Sequence, residues 1–164
     1  MRASSFAIAL IVVQVSVIQA SAADDSSVER MATCQDSWLD WKKNDAAQMT
    51  KFGDHLRSIL SQEETGGSFP TRTSTTIAGL HVVRVSPESV GMGVGFSVMV
   101  EAPFDTTRRT VEKIFGKSLQ KCDSSDNMRT CELEIGEKRT FMLMAEDSAK
   151  SGTTLLGCYY YYEK

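Results

Sequence analysis

The chain has 164 residues, 41% of them hydrophobic, with 18 basic and 21 acidic side chains and a formal net charge of −3. This slightly acidic balance, with no basic cluster larger than Arg108-Arg109, provides no electrostatic footprint for nucleic acid or for an anionic membrane surface. The length allows one ordinary hydrophobic core.

The N-terminus has the three parts of a cleavable export signal. A positive start at Arg2 precedes an unbroken apolar run over residues 6–13, and Ala20-Ser21-Ala22 places small residues where signal peptidase requires them. Polar side chains end the apolar run well before the roughly 18–20 residues that a membrane span needs. We therefore predict a cleaved signal peptide over residues 1–22 and a periplasmic or secreted mature chain, residues 23–164, without a membrane span.

All four cysteines, Cys34, Cys122, Cys131 and Cys158, lie in the mature chain. An even number of cysteines in an exported protein favours disulfides, and four cysteines allow three connectivities. The polar residues between Cys122 and Cys131 can double back, whereas Cys34 and Cys158 lie near opposite ends of the mature chain. We predict the pairs Cys122–Cys131 and Cys34–Cys158. A zinc site is disfavoured because no two cysteines have the spacing of a zinc knuckle.

The mature chain begins with a helical region. Ser26 and Glu29 have the spacing of a capping box, which predicts a helix start there. The region extends to about Gln62, and Asn44-Asp45 can divide it into two helices. Glycine, proline and hydroxyl side chains predict a loop over residues 63–74.

The middle of the chain turns to β-structure. Residues 75–85 are rich in valine, and residues 86–91 have the composition of a connection. Apolar and small or polar side chains alternate over residues 94–100, the clearest strand pattern in the sequence. A second amphipathic helix is predicted to begin near Pro103 and to end at or beyond Gly116.

Three further strands are predicted at residues 130–135, 139–145 and 154–162, with Gly136-Glu137 as a hairpin turn between the first two. The predicted order of elements is α(α)-β-β-α-β-β-β. Short connections of this kind favour antiparallel pairing. We predict a single α+β domain over residues 23–164. Its mainly antiparallel sheet of about five strands would carry the N-terminal and central helices packed on one face.

Recognisable catalytic patterns are lacking in the sequence. The two histidines, His55 and His81, do not lie in an H-x-H or H-E-x-x-H pattern, and no serine lies in a G-x-S-x-G elbow. We therefore predict no catalytic residue, no metal ligand and no cofactor, and expect a protein that is not an enzyme.

The C-terminal run Tyr159, Tyr160, Tyr161 and Tyr162 is the first candidate for a binding surface. In a strand, alternate tyrosines face opposite sides, so that one pair can enter the core and the other can line a surface. The alternative is that tyrosine is present here only because it forms strands well.

Met142 and Met144 suggest a second candidate. In a strand, both thioethers point to the same side, with Cα atoms roughly 6.5–7 Å apart, and soft sulfur ligands suit Cu(I). The alternative is that both methionines fill space between helix and sheet.

These observations predict an exported, disulfide-stabilised, non-enzymatic binding or interaction protein. Its partner would be another protein or a small apolar ligand. Two alternatives remain open, namely periplasmic Cu(I) handling through Met142 and Met144, and a hydrolase with an unrecognised site.

Overall fold

The computed structural model describes residues 22–36, 45–90, 93–136, 138–147 and 152–161. Within these residues, three helices and seven strands form a single α+β domain. The helices are α1 (Ala22–Ala32), α2 (Ala46–Ile59) and α3 (Phe104–Phe115). The strands are β1 (Phe69–Ile77), β2 (Leu80–Val90), β3 (Gly93–Val100), β4 (Gln120–Ser125), β5 (Met128–Glu134), β6 (Arg139–Glu146) and β7 (Thr154–Tyr161).

All seven strands belong to one antiparallel sheet in the order β1-β2-β3-β7-β6-β5-β4. Two tight turns set the hairpins at its edges. Ala78-Gly79 joins β1 to β2 and Asp126-Asn127 joins β4 to β5, each with two residues at positive φ. Such turns match the twist of paired strands. The last strand, β7, lies between β3 and β6 and therefore joins the two halves of the sheet.

Local signals fix the ends of α2 and α3. The carboxylate of Asp45 accepts the amide of Gln48 at 3.0 Å and caps α2, which confirms a helix start at the predicted break. Gly116 ends α3 with a left-handed φ of 64°.

One face of the sheet forms the hydrophobic core with the helices. Phe96, Val98 and Val100 alternate along β3 and are buried, and the register places Leu156 and Cys158 of β7 beside them. Side chains of directly paired residues point to the same face. This face therefore continues across β3 and β7.

All three helices pack on that face, as the sequence predicts. The ring of Phe52 on α2 lies 5.2 Å from that of Phe96, and the ring of Phe115 on α3 lies 4.9 Å from that of Phe141 on β6. Helix α1 is joined to the same side by the Cys34–Cys158 disulfide, which links residues 124 positions apart.

The segment that follows α1 is also held to the sheet by hydrogen bonds. A guanidinium nitrogen of Arg139 donates to the carbonyl of Cys34 at 2.8 Å, and the hydroxyl of Tyr160 donates to the carbonyl of Asp36. The second disulfide joins Cys122 to Cys131 across β4 and β5. Both predicted cysteine pairs are therefore confirmed.

The predicted number of about five strands is wrong, because the sheet has seven. The predicted order of elements is wrong as well, because it lacks one strand before α3 and one after it. Strand β4 escaped prediction because it is short, exposed and polar, and pairing with β5 forms it. Strand β1 begins at Phe69, inside the predicted loop 63–74, and β2 continues to Val90 through the predicted connection 86–91. These segments hold their strand conformation by pairing with the adjacent strand of a hairpin, β1 with β2, β2 with β3 and β4 with β5. The composition of the segments does not encode that pairing.

The predicted helix start at Ser26 is also wrong, since α1 begins at Ala22. Glu29 does not close a capping box. Its carboxylate instead accepts the amide of Ala78 at 2.8 Å and ties α1 to the β1–β2 turn. Residues 1–21 lie outside the described residues, so the signal peptide stays a prediction. Within the described part of the chain, no helix is both long and apolar enough to cross a membrane.

Candidate functional site

Three methionines lie on the sheet face opposite the helices. The register places Met99 on β3 opposite Leu155 on β7, and Leu155 opposite Met144 on β6. Met142 lies two residues before Met144 and therefore points to the same side. It pairs with Gly157 of β7. The strand order thus brings Met99 to the face on which the sequence placed Met142 and Met144.

These side chains form a partly exposed apolar surface. Met99, Met142, Met144 and Leu155 are each half-buried, and Met128 at the start of β5 is 37% exposed. We call the surface formed by these five residues the methionine face. A sheet normally buries an apolar face against a second layer. All three described helices lie on the other side, so no described helix covers this one.

Two glycines give the centre of this face its shape. A Cβ on Gly157 would come 2.6 Å from the Cβ of Ser97 and 2.8 Å from the carbonyl oxygen of Phe96, so only glycine fits there. A Cβ on Gly95 would come 2.6 Å from Cδ1 of Tyr159. The centre of the face is therefore closely packed, with Ser97 beside Gly157 and the Tyr159 ring over Gly95, and these four residues are buried.

The structure separates the four tyrosines that the sequence grouped. Tyr160 is 3% exposed on the helix side and holds the carbonyl of Asp36. Tyr159 is also 3% exposed, but it lies on the opposite side, over Gly95. Tyr161 ends β7, and Tyr162 lies outside the described residues. A binding role for this run stays a prediction, and the burial of Tyr159 and Tyr160 leaves their side chains little surface for a partner.

Acidic side chains accompany the methionines on β5 and β6. Glu132 pairs with Met142 across the strands, and Glu146 pairs with Met128. Glu134, also on β5, accepts a hydrogen bond from Nζ of Lys121 at 2.7 Å, which raises the pKa of Lys121. The β5–β6 half of the face therefore combines apolar and negatively charged groups.

A separate cavity of about 150 Å³ lies between α3 and the β4–β5 hairpin. The guanidinium of Arg129 stacks 4.4 Å from the ring centroid of Phe104 and forms two hydrogen bonds with Asp105, at 2.8 and 3.3 Å. These hydrogen bonds from Arg129 hold the pKa of Asp105 below its ordinary value. The arginine is engaged within the protein, so this contact fastens α3 to β5.

Glu112 plays a similar structural part at the end of α3. Its carboxylate accepts the backbone amide of Leu119 and the Nε of Arg108, each at 3.0 Å. The amide of Leu119, followed by Arg108, lowers the pKa of Glu112. The carboxylate therefore closes the turn that leads from α3 into β4.

The described residues contain no group of three or more His, Cys, Asp and Glu side chains that could hold a metal ion. His81 is exposed and lies 3.3 Å from a carboxylate oxygen of Glu101. All four cysteines form disulfides. A thiol nucleophile would therefore require reduction of one of these bonds.

The sequence pattern singled out Met142 and Met144 but missed Met99 and Leu155 as their neighbours. Alternation places Met99 on the same side of β3 as Gly95 and Ser97, but it does not show which strand lies beside that side. The missing information was that β7 lies between β3 and β6.

Fold and site together define an α+β protein whose antiparallel sheet carries helices on one side and an apolar, methionine-rich surface on the other. The chain matches no protein-family model, no curated protein and no solved structure.

Proposed function

We propose that this chain is an exported, disulfide-stabilised, non-enzymatic binding protein whose binding surface is the methionine face. The observation that carries the proposal is the cross-strand row of Met99, Leu155 and Met144, with Met142 beside it, on the side of the sheet away from the helices. Contiguous apolar surface of this kind marks sites of interaction.

The residue types favour binding of an apolar surface. Methionine side chains are flexible and polarisable, so they adapt to partners of different shape. Met99, Met142 and Met144 are half-buried, so part of each side chain is exposed to such a partner. The partner class is another protein or a small apolar ligand, and the acidic side chains beside Met142 and Met128 disfavour nucleic acid.

The two disulfides support work in an oxidising compartment, in agreement with the signal peptide predicted over residues 1–22. Intact-mass analysis of native material tests this part of the proposal. The expected chain begins at Ala23 and offers no thiol to alkylation. Material that still carries Met1, or that alkylates at its cysteines without reduction, would contradict it.

A neutral apolar dye such as Nile red tests the binding surface. Its fluorescence is expected to rise with the wild-type protein, and a M142T/M144T variant should bind the dye at least ~5-fold more weakly, because apolar area is lost. Threonine forms strands well, so the fold is retained. The matched control is M49T, since Met49 on α2 is 39% exposed. Equal weakening by M49T, or no fluorescence rise at all, would contradict the proposal.

Cu(I) handling is a second candidate, favoured by one specific observation. Met99 shares the face of Met142 and Met144, so three thioethers surround Gly157 and Leu155 rather than two. Thioethers are ligands for Cu(I).

Titration with Cu(I) under anaerobic conditions tests this candidate. If the three methionines bind the ion, the melting temperature rises for the wild type and not for M142T/M144T, since a ligand that binds the folded state stabilises it. The M49T variant should respond like the wild type. An unchanged melting temperature of the wild-type protein would eliminate the copper candidate.

A further inference from the structure

The charged side chains beside the methionine face are unevenly distributed. Glu132 and Glu146 lie directly beside Met142 and Met128, and neither forms an ion pair with another described side chain. Glu134 lies on the same strand as Glu132 and is paired with Lys121. The β5–β6 half of the face therefore carries an excess of negative charge among its described residues.

The end of this half is more acidic still. A cavity of about 430 Å³ is lined by Asp126, Asn127, Met128, Glu146 and Asp147. It combines three carboxylates with the most exposed methionine of the face. An apolar group that enters the cavity would therefore be surrounded by negative charge.

Arg84 on β2 does not offset the excess of negative charge on the β5–β6 half. Arg84 pairs with Met99 on the far half of the sheet, away from β5. Its Nε donates to the hydroxyl of Ser68 at 2.7 Å, and a terminal nitrogen donates to the Ser68 carbonyl at 2.9 Å. The guanidinium is thus held by the loop before β1.

We propose that the β5–β6 half of the methionine face docks a cationic amphipathic helix of another protein. This inference rests on the proposed binding function and names the chemistry of the partner. The apolar stripe of the helix would contact Met128, Met142 and Met144, and lysine or arginine side chains on its flanks would reach Glu132 and Glu146. Apolar contact gives affinity, and charge complementarity gives orientation and selectivity.

The dimensions of the surface suit a helix. A helix with its side chains is roughly 10–12 Å wide, and three neighbouring strands at about 4.8 Å spacing span a similar width. From Met142 to Glu146, β6 extends over roughly 13 Å. About nine residues of helix cover that length.

An extended peptide is a poorer fit than a helix. The backbones of β5 and β6 are paired on both sides, so they offer no free edge to an added strand. The edge strand β4 is irregular, with Lys121 at a positive φ of 53° and a register shift before Asp123. Such irregularity discourages strand addition. Recognition therefore depends on side chains.

Other occupants are disfavoured by the same charges. A second copy of this chain would bring one acidic surface against another, and an anionic lipid surface would be repelled. A small neutral apolar ligand would gain nothing from Glu132 and Glu146. The charge preference of the surface is therefore the property to test.

The experiment uses the mature, oxidised protein and two labelled 18-residue helical peptides. One has leucine and lysine on its two faces, and the other has the same leucine face with glutamate replacing lysine. Fluorescence anisotropy is expected to show at least ~10-fold tighter binding of the lysine peptide, and the difference should shrink in high salt. Equal affinities for the two peptides would overturn the inference.

A matched pair of double variants locates the binding. E132Q/E146Q should weaken binding of the lysine peptide ~3- to 10-fold, as expected for two partly exposed charge pairs. E63Q/E64Q changes the net charge equally in an exposed loop and should leave the affinity unchanged. Equal weakening by both variants would indicate attraction to the overall charge and would overturn the inference.

The dye experiment separates this inference from the proposed function. If Nile red binding still depends on Met142 and Met144 while the peptides show no charge preference, the face binds apolar ligands and the helix inference fails alone. If neither dye nor peptide responds to M142T/M144T, the proposed function fails as well.

Discussion

The ring of Tyr159 lies against Gly95 on the neighbouring strand, so close that a Cβ on the glycine would come 2.6 Å from Cδ1 of the ring. Tyr159 is 3% exposed, although it lies on the sheet face away from the helices. An aromatic ring that covers a cross-strand glycine protects the backbone beneath it. This contact gives the tyrosine a structural role on the side of the sheet that carries the methionine face.

Alanine at the two central glycines should have different effects. At Gly157, a Cβ would meet backbone atoms, namely the Phe96 carbonyl oxygen and the Ser97 Cα, each at 2.8 Å. We expect G157A to lower the free energy of unfolding by ~2–3 kcal/mol or more, because the strand must move. G95A should cost less, since only the Tyr159 ring must rotate.

Urea denaturation of the single variants and of G95A/Y159A checks this expectation. If the ring is the obstacle, the double variant loses less stability than the two single variants together, and the coupling exceeds ~0.5 kcal/mol. If G157A is as stable as the wild type, the close contact of Gly157 on β7 with Phe96 and Ser97 on β3 is contradicted.

The two disulfides should contribute unequally to stability. The Cys34–Cys158 bond closes a loop of 124 residues and the Cys122–Cys131 bond a loop of nine. Loop entropy alone predicts about 5 kcal/mol for the long loop and about 2.5 kcal/mol for the short one. C34A/C158A should therefore unfold at lower urea concentration than C122A/C131A. The reverse order would contradict this account of how α1 is held.

Acid should remove the contribution of Glu112. Its pKa is lowered by the Leu119 amide and by Arg108, from an ordinary value of 4.5. A carboxylate with a depressed pKa adds stability that is present above its unfolded pKa and is lost as the pH falls through its folded pKa. The wild type should exceed E112Q by up to ~1 kcal/mol at neutral pH. This difference should disappear as the pH falls from about 5 to about 3.

Denaturation curves of wild type and E112Q across this pH range provide the measurement. Glutamine can still accept the Leu119 amide, so the comparison isolates the charge. E64Q in the exposed loop serves as the control and should differ little from the wild type at any pH. A difference for E112Q that stays constant with pH would rule out the electrostatic explanation.

Methionine oxidation should follow exposure. Met49 and Met128 are 39% and 37% exposed, whereas Met31 on α1 is fully buried. Dilute peroxide should therefore oxidise the exposed Met49 and Met128 first, the half-buried Met142 and Met144 more slowly, and the buried Met31 last. Peptide mapping by mass spectrometry gives the order, and protein unfolded in urea serves as the control. Oxidation of Met31 as fast as Met49 would contradict the packing of α1.

Local patterns predicted much of the fold. Alternation identified β3, while Asp45 and Gly116 marked helix boundaries, and both cysteine pairs followed from their positions. Each of these signals depends on neighbours in sequence or on the chain ends.

The missing strands depend on hairpin pairing that their polar composition does not reveal, and the methionine face depends on the pairing of β7 with the distant strand β3. Strand β4 is polar and exposed along its whole length, and only β5 and the disulfide give it order. Met99 joins Met144 only because β7 is inserted between β3 and β6. Strand order across a sheet leaves no periodic trace in a single sequence. The position of Met99 and Leu155 beside Met144 is therefore visible only in the structure.

The most direct test of the central claim is a methyl NMR titration of protein labelled at the methionine methyl groups. With Nile red as the titrant, the signals of Met99, Met142 and Met144 are expected to shift together, while those of Met31 and Met49 stay unchanged. Signals that shift mainly at Met49, or a spectrum that does not respond, would contradict the assignment of the methionine face as the binding surface.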